Sequence, residues 1–235
     1  MKNIILTAFF ASCFGSAYAA DGWVGQLTAS TDRVQVGDIP ELSWQVDYPS
    51  TGVEDVVDID EETVTPTTKV RADIRLLGAA WGIDTRFYRV NGYFHNGSTW
   101  SDIFNGFHGE ISQTAVVKSE IVEAGTSLNM AARGFFSNTP SYASSDGTWG
   151  SYYISWNTTP NVVLLKNGDA APQLSSGYAI QQSVQDYLAP YMDGESGTMV
   201  LGPRDVVYLF DFNDHGSFGF DLQDFAVLIT FTEVE

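Results

Sequence analysis

The residues best suited to chemistry lie near the C-terminus, in Phe210-Asp211-Phe212-Asn213-Asp214-His215-Gly216. Asp221 and Asp224 follow just before the last apolar run. Asp211, Asn213, Asp214, Asp221 and Asp224 are hard oxygen donors grouped around a glycine turn. Calcium needs such a set, with about six to eight oxygens in its shell. The spacing does not match an EF-hand: His215 falls at the fifth position of the loop and Leu222, not glutamate, at the twelfth. The same residues also serve a hairpin loop, where Asp and Asn side chains bond to nearby backbone. A second acidic group runs from Glu54 to Glu62. Crowded carboxylates there would welcome a divalent cation, and they equally suit a solvated loop and strand edge whose charge blocks self-association.

Aromatic residues form two groups: Trp149, Tyr152, Tyr153 and Trp156, and Tyr93, Phe94, Trp100, Phe104 and Phe107. Trp149, Tyr153 and Trp156 are the candidate ligand-binding rings, because a flat π surface complements the C–H-rich face of a pyranose. Ordinary core packing accounts for such rings as well. No GxSxG, HExxH or phosphate-loop pattern occurs. His95, His108 and His215 show no zinc-like spacing. The many acids permit a glycosidase-type carboxylate pair, but none stands out, so no catalytic residue is assigned. Asn96-Gly97-Ser98 and Asn157-Thr158-Thr159 match the glycosylation sequon, a short motif of little weight.

The elements that must position these residues read as strands. Leu42, Trp44, Val46 and Tyr48 alternate, as do Val70 to Leu76, Leu128 to Gly134, Val206 to Phe210 and Phe225 to Phe231. The last run is apolar on both faces, which predicts a central strand. Weaker strands fit Trp23–Ala29, Phe87–Phe94, Val116–Val122 and Val162–Leu165. Ile180, Val184, Tyr187, Leu188 and Tyr191 recur at helical spacing and predict one short helix over Ala179–Ala189. Glu54–Thr68 and Asn138–Gly150 read as long loops. About ten strands with a single helix predict an all-β fold, a β-sandwich or jelly-roll-like single domain over residues 20–235.

The N-terminus carries a secretory pattern. Lys2 precedes the apolar run Ile4–Phe14, and Ala17-Tyr18-Ala19 has small residues where signal peptidase requires them. Residues 1–19 are therefore expected to be a signal peptide cleaved after Ala19, giving an exported protein. A lipoprotein anchored through Cys13 is the weaker alternative, since Phe10 stands where leucine is usual. Cys13 is the single cysteine, so the mature chain must fold without a disulfide. No later apolar run is long enough for a transmembrane segment.

The formal net charge is −18. Such a field repels phosphate backbones and anionic lipid, which argues against nucleic acid and membrane surfaces as partners. It is compatible with cations, with neutral glycans or simply with solubility, and a glycan or self-association is the expected kind of partner. No lysine or arginine occurs between Arg33 and Lys69, and none after Arg204, so both regions are strongly negative.

Three stretches carry a resemblance. They are Gly37-Asp38-Ile39-Pro40 to Trp44, Thr159 to Asp169, and Gly202 to Leu209 continuing into Gly219 to Leu228. Together they resemble a group of uncharacterised exported β-rich proteins of environmental bacteria with no assigned activity. The resemblance implies export and one domain and transfers no catalytic residue. The expected role is a non-catalytic exported binding or extracellular structural domain, with calcium in the C-terminal loop. A polysaccharide-active enzyme or carbohydrate-binding module, and a self-assembling surface or filament subunit, are the alternatives.

Overall fold

The computed structural model describes residues 24–29, 42–47, 52–83, 86–137, 146–174 and 181–234. Residues 1–19, including Cys13, lie outside them. The chain divides into two compact units, Met1–Ser50 and Thr51–Glu235. In the first, β1 (Val24–Ala29) pairs antiparallel with β2 (Leu42–Asp47), Leu27 opposite Trp44.

The second unit begins with a 3-10 turn at Val53–Asp55, then β3 (Val57–Asp60) and β4 (Thr63–Pro66). These two strands form a hairpin, so Glu54–Thr68 is not the long loop its charge suggested. Val56 and Val57 lie between the acids, Val53 and Val64 flank them, and all four are buried in the core. Their burial outweighs the cost of holding the intervening carboxylates at the surface. The hairpin is also tied down by the Tyr208 hydroxyl, which donates to the Glu62 carbonyl at 2.7 Å.

The following strands are β5 (Val70–Gly78), β6 (Gly82–Ile83), β7 (Arg86–Phe87), β8 (Val90–His95), β9 (Trp100–Gly106) and β10 (Val116–Val122). Then come β11 (Asn129–Ser137), β12 (Gly147–Trp149), β13 (Tyr153–Ile154) and β14 (Val162–Leu165). Helix α1 (Val184–Leu188) precedes β15 (Asp205–Phe210) and β16 (Phe225–Glu233).

Two antiparallel sheets pack face to face. The first has the order β10-β5-β16-β15-β14, and β16 sits between β5 and β15. The second has the order β12-β11-β8-β9, with β13 also paired to β11. The fold is mostly β with one short helix, as the alternation implied. Phe225, Val227, Ile229 and Phe231 point from β16 into the core between the sheets, where Phe94, Met130 and Ala132 meet them. Gly92 is required at this contact: a β-carbon there would lie 2.5 Å from the Phe225 ring. The other face of β16 carries Ala226 and Leu228. Together with Leu77, Val207 and Leu209 they pack under Val184, Tyr187 and Leu188 of α1.

The helix is shorter than its spacing predicted. Gln181 to Ser183 is not helical, and Ala179 and Ile180 lie outside the described residues. Ser183 sets the start: its hydroxyl accepts from the Asp186 N–H while the Asp186 carboxylate accepts from the Ser183 N–H. That reciprocal capping satisfies two otherwise orphaned donors and fixes the first turn. A 3-10 turn at Ala189–Tyr191 continues from its end, and it contains Pro190. Among the described residues no helix is long and apolar enough to cross a membrane.

Candidate functional site

The second sheet has one face in the core and one outside. On β8 the inner positions are Val90, Gly92 and Phe94, so Asn91, Tyr93 and His95 face outward. The register places Ala131 and Arg133 of β11 beside Tyr93 and Asn91. It places Asp102 and Trp100 of β9 on the other side, opposite Tyr93 and His95. The segment through β13 adds Tyr152, Ile154 and Trp156, since Ser155 points inward. Ser155 is buried and locks that segment to β11: its hydroxyl donates to Asn129 Oδ1 at 2.9 Å and accepts from the Met130 N–H at 3.1 Å. Tyr93 and Trp100 are thus carried on paired strands, while Tyr152 and Trp156 flank the short strand β13, in a segment that Ser155 anchors to β11.

Tyr93, Trp100, Ala131, Tyr152 and Ile154 line a half-open cavity of about 240 Å³. Small Ala131 at its floor leaves the space, and larger side chains make its walls. This is below the ~300–1,000 Å³ of drug-sized ligand pockets and suits a single ring. Trp156 and Trp100 meet edge to face at 5.2 Å, and His95 lies 4.8 Å from Trp100 and 5.6 Å from Trp156. Trp156 is 47% exposed and Trp100 37%, so neither ring is held in the core. Tyr152 stands edge-on to Tyr93 at 5.6 Å. Burial, followed by a hydrogen bond with Tyr93, pushes the Tyr152 hydroxyl up to about 12, so it stays neutral. Beyond Tyr152 the Arg133 guanidinium lies 4.2 Å from that ring and 4.8 Å from the ring of Trp149.

Charge is distributed unevenly over the molecule. The chain has 29 acidic residues, yet β8, β9, β11, β12 and β13 together contain one, Asp102. Its carboxylate accepts from Asn91 Nδ2 at 3.3 Å. The aromatic face is thus a charge-poor window in a strongly negative protein.

The three rings singled out in the sequence occupy different places. Trp156 is on the outward face. Trp149 is half-buried at its far end, edge-on to Phe135 at 5.3 Å and beside Arg133. Tyr153 points the opposite way, stacked on Phe212 at 6.1 Å against the core. Burial first, and then the charges of Asp214, Asp211 and Asp224, raise its hydroxyl. Tyr93, Trp100 and Tyr152 belong to the site although the sequence reading did not select them. The signal that finds them is strand phase: Tyr93 alternates with buried Phe94, and Tyr152 precedes inward Tyr153 by one residue.

The C-terminal acids separate into two groups. Asp211, Asp221 and Asp224 are buried, Asn213 is half-buried, and Asp214 is exposed at the turn. Asp211 works as a clasp. Its Oδ2 accepts from the N–H groups of Asp221 (2.6 Å) and Leu222 (2.8 Å), and its Oδ1 from Asn213 (2.7 Å). Asp224 Oδ2 accepts from the Phe212 N–H at 2.6 Å. The carboxylates thereby tie the end of β15 to the start of β16, and Leu222 takes a left-handed φ of 57° within the clasp. Among the described residues no group of three or more His, Cys, Asp or Glu is arranged to hold a metal ion. Both oxygens of Asp211 and one of Asp224 are engaged with backbone donors.

Placing these carboxyls together has an electrostatic consequence. Burial, followed by the charges of Asp211 and Asp221, raises Asp224 well above the ordinary carboxylate range, against the pull of the Phe212 N–H. Burial also raises Asp211, opposed by its three backbone hydrogen bonds. A carboxyl raised in the folded state binds more protons folded than unfolded, so its contribution to stability falls as pH rises through that window. The wild type is therefore expected to gain stability relative to Asp224→Asn when the pH is lowered from 7 to 5. The asparagine keeps an oxygen for the Phe212 N–H but cannot titrate. Urea midpoints of both proteins at the two pH values check this; an unchanged difference contradicts it.

No protein-family model matches the chain, and no curated protein or solved structure is significantly similar to it.

Proposed function

We propose that this chain is an exported, non-catalytic binding domain that holds a glycan on the outward aromatic face of its second sheet. The observation that carries the reading is the exposed pair Trp100 and Trp156 beside a one-ring cavity walled by Tyr93 and Tyr152. A pyranose offers an apolar C–H face and a rim of hydroxyls. The rings supply flat apolar area with few rotatable bonds, and Asp102 and the tyrosine hydroxyls supply polar partners at the edge. Because paired strands hold Tyr93 and Trp100, and Ser155 anchors the segment that carries Tyr152 and Trp156, little ordering entropy is lost on binding. Exposed aromatic rings gathered on one face mark a place for an occupant.

The face favours binding over hydrolysis. Glycoside cleavage needs two carboxyls about 5–10 Å apart across the bond. The strands that build this face contain Asp102 alone.

The mature chain is expected to be retained by at least one polysaccharide in native gel electrophoresis with polysaccharide cast into the gel. Unretarded migration across a panel of neutral and acidic plant, algal and bacterial polysaccharides contradicts the reading.

A further inference from the structure

Arg133 is the feature that the glycan reading leaves unexplained. Among the described residues five cations meet acids: Lys69 meets Glu123, Lys118 meets Glu120, Lys166 meets Glu54, Arg71 meets Asp73 and Arg204 meets Glu233. With 29 acidic against 11 basic residues, a carboxylate partner is easy to supply. Arg133 instead rests against two rings, 4.2 Å from Tyr152 and 4.8 Å from Trp149. Its Nε is shielded from solvent and has no hydrogen-bond partner. The neighbouring Asp102 carboxylate is held by Asn91 Nδ2. Arg89 lies 5.9 Å from the same Trp149 ring and donates to Asn105 Oδ1 at 2.7 Å.

A guanidinium stacked on rings is fixed in orientation but keeps its in-plane fork of N–H donors. That fork matches two oxygens of one anion, and such bidentate pairs are the strong ones. Arg133 also touches Tyr152, a wall of the cavity, so it stands next to whatever ring the cavity holds. We propose that the glycan bound here carries an acidic group, a carboxylate or a sulfate ester, which Arg133 receives beside the aromatic cavity. This rests on the glycan reading and narrows it to a ligand class.

The net charge of −18 limits the ligand further. Screening at physiological salt confines each charge's reach to about 8 Å. One acidic group against Arg133 and Arg89 is favoured locally, while a densely charged polyanion also meets the repulsion of the surrounding surface. The fitting ligand has isolated acidic groups among neutral rings.

Matched pairs of oligosaccharides test this by calorimetric titration. One pair is a xylo-oligosaccharide with and without a single glucuronate branch. The other is a galactan oligosaccharide with and without a single sulfate ester. The acidic member of at least one pair is expected to bind about tenfold tighter, a difference of about 1.4 kcal/mol. Preference in the first pair assigns a carboxylate, and preference in the second a sulfate. In Arg133→Gln the acidic-to-neutral ratio falls to near one. Arg133→Lys, which keeps the charge without the planar fork, retains a reduced preference. Equal binding of both members by the wild type, or a preference that survives in Arg133→Gln, overturns the proposal while leaving glycan binding intact. Failure of every member to bind overturns the acidic-ligand proposal, and together with unretarded migration across the polysaccharide panel it overturns the glycan reading as well.

Discussion

Asp211→Ala is expected to destabilise the fold by about 3–5 kcal/mol, among the largest losses any single substitution in this chain will cause. The carboxylate accepts from three backbone N–H groups, those of Asn213, Asp221 and Leu222. Alanine leaves these donors without their acceptor in a region where Asp211, Asp221 and Leu222 are all buried. Each unsatisfied buried donor costs about 1–3 kcal/mol, and partial entry of water recovers some of that. Removing Asp211 also relieves its repulsion of Asp224. That relief is a single charge interaction set against the loss of three hydrogen bonds to backbone N–H groups. Asp211→Asn preserves one acceptor oxygen and should cost less than the alanine. For a domain of this size the alanine variant should melt roughly 10 °C lower, at about 2–4 °C per kcal/mol. Asp214→Ala, at the exposed turn, is the control. Equal melting temperatures for the two alanine variants would falsify the clasp.

The second large effect concerns binding alone. Replacing Trp100 and Trp156 together by alanine is expected to weaken glycan binding at least a hundredfold. An anchoring aromatic ring contributes about 2 kcal/mol or more when truncated, close to thirtyfold in affinity. The two rings touch at 5.2 Å, so their single losses will not sum exactly. Stability should change little, because both side chains are substantially exposed in the free protein. Calorimetry and thermal melts on the same preparation separate the effects. A double variant that binds normally, or one that loses binding only because it unfolds, contradicts the assignment.

Most of the architecture was legible in residue order. The alternation of Phe225, Val227, Ile229 and Phe231 with Ala226 and Leu228 described a strand covered on both sides, and β16 lies between β5 and β15 with apolar layers on each face. The hairpin at Val57–Pro66 was obscured because composition dominated pattern: the acids drew attention from Val56, Val57, Ile59 and Val64, whose burial decides the local structure. The helix began late because spacing shows which face is apolar, whereas the Ser183–Asp186 cap decides where the first turn forms.

The candidate site was less legible, for two physical reasons. The Asp211 loop has the composition of a calcium loop and of a backbone clasp alike. Only the direction of each lone pair separates them, and that depends on how β15 and β16 meet. The aromatic face depends on parity. Tyr152 and Tyr153 are adjacent in sequence and lie on opposite faces of one sheet, so a phase error of one residue exchanges a ligand-facing ring for a core ring. Arg133 gave no local sign of its role; its ring partners Trp149 and Tyr152 come from another part of the chain.

The most direct measurement is a heteronuclear NMR titration that follows the indole N–H resonances of the six tryptophans as an oligosaccharide selected by gel retention is added. Trp81 is an internal control, buried and donating to the Phe135 carbonyl at 2.8 Å. The indole signals of Trp100 and Trp156 are predicted to shift along a common binding curve while that of Trp81 stays in place. Saturable binding that leaves Trp100 and Trp156 unmoved would contradict the assignment of the aromatic face as the binding surface.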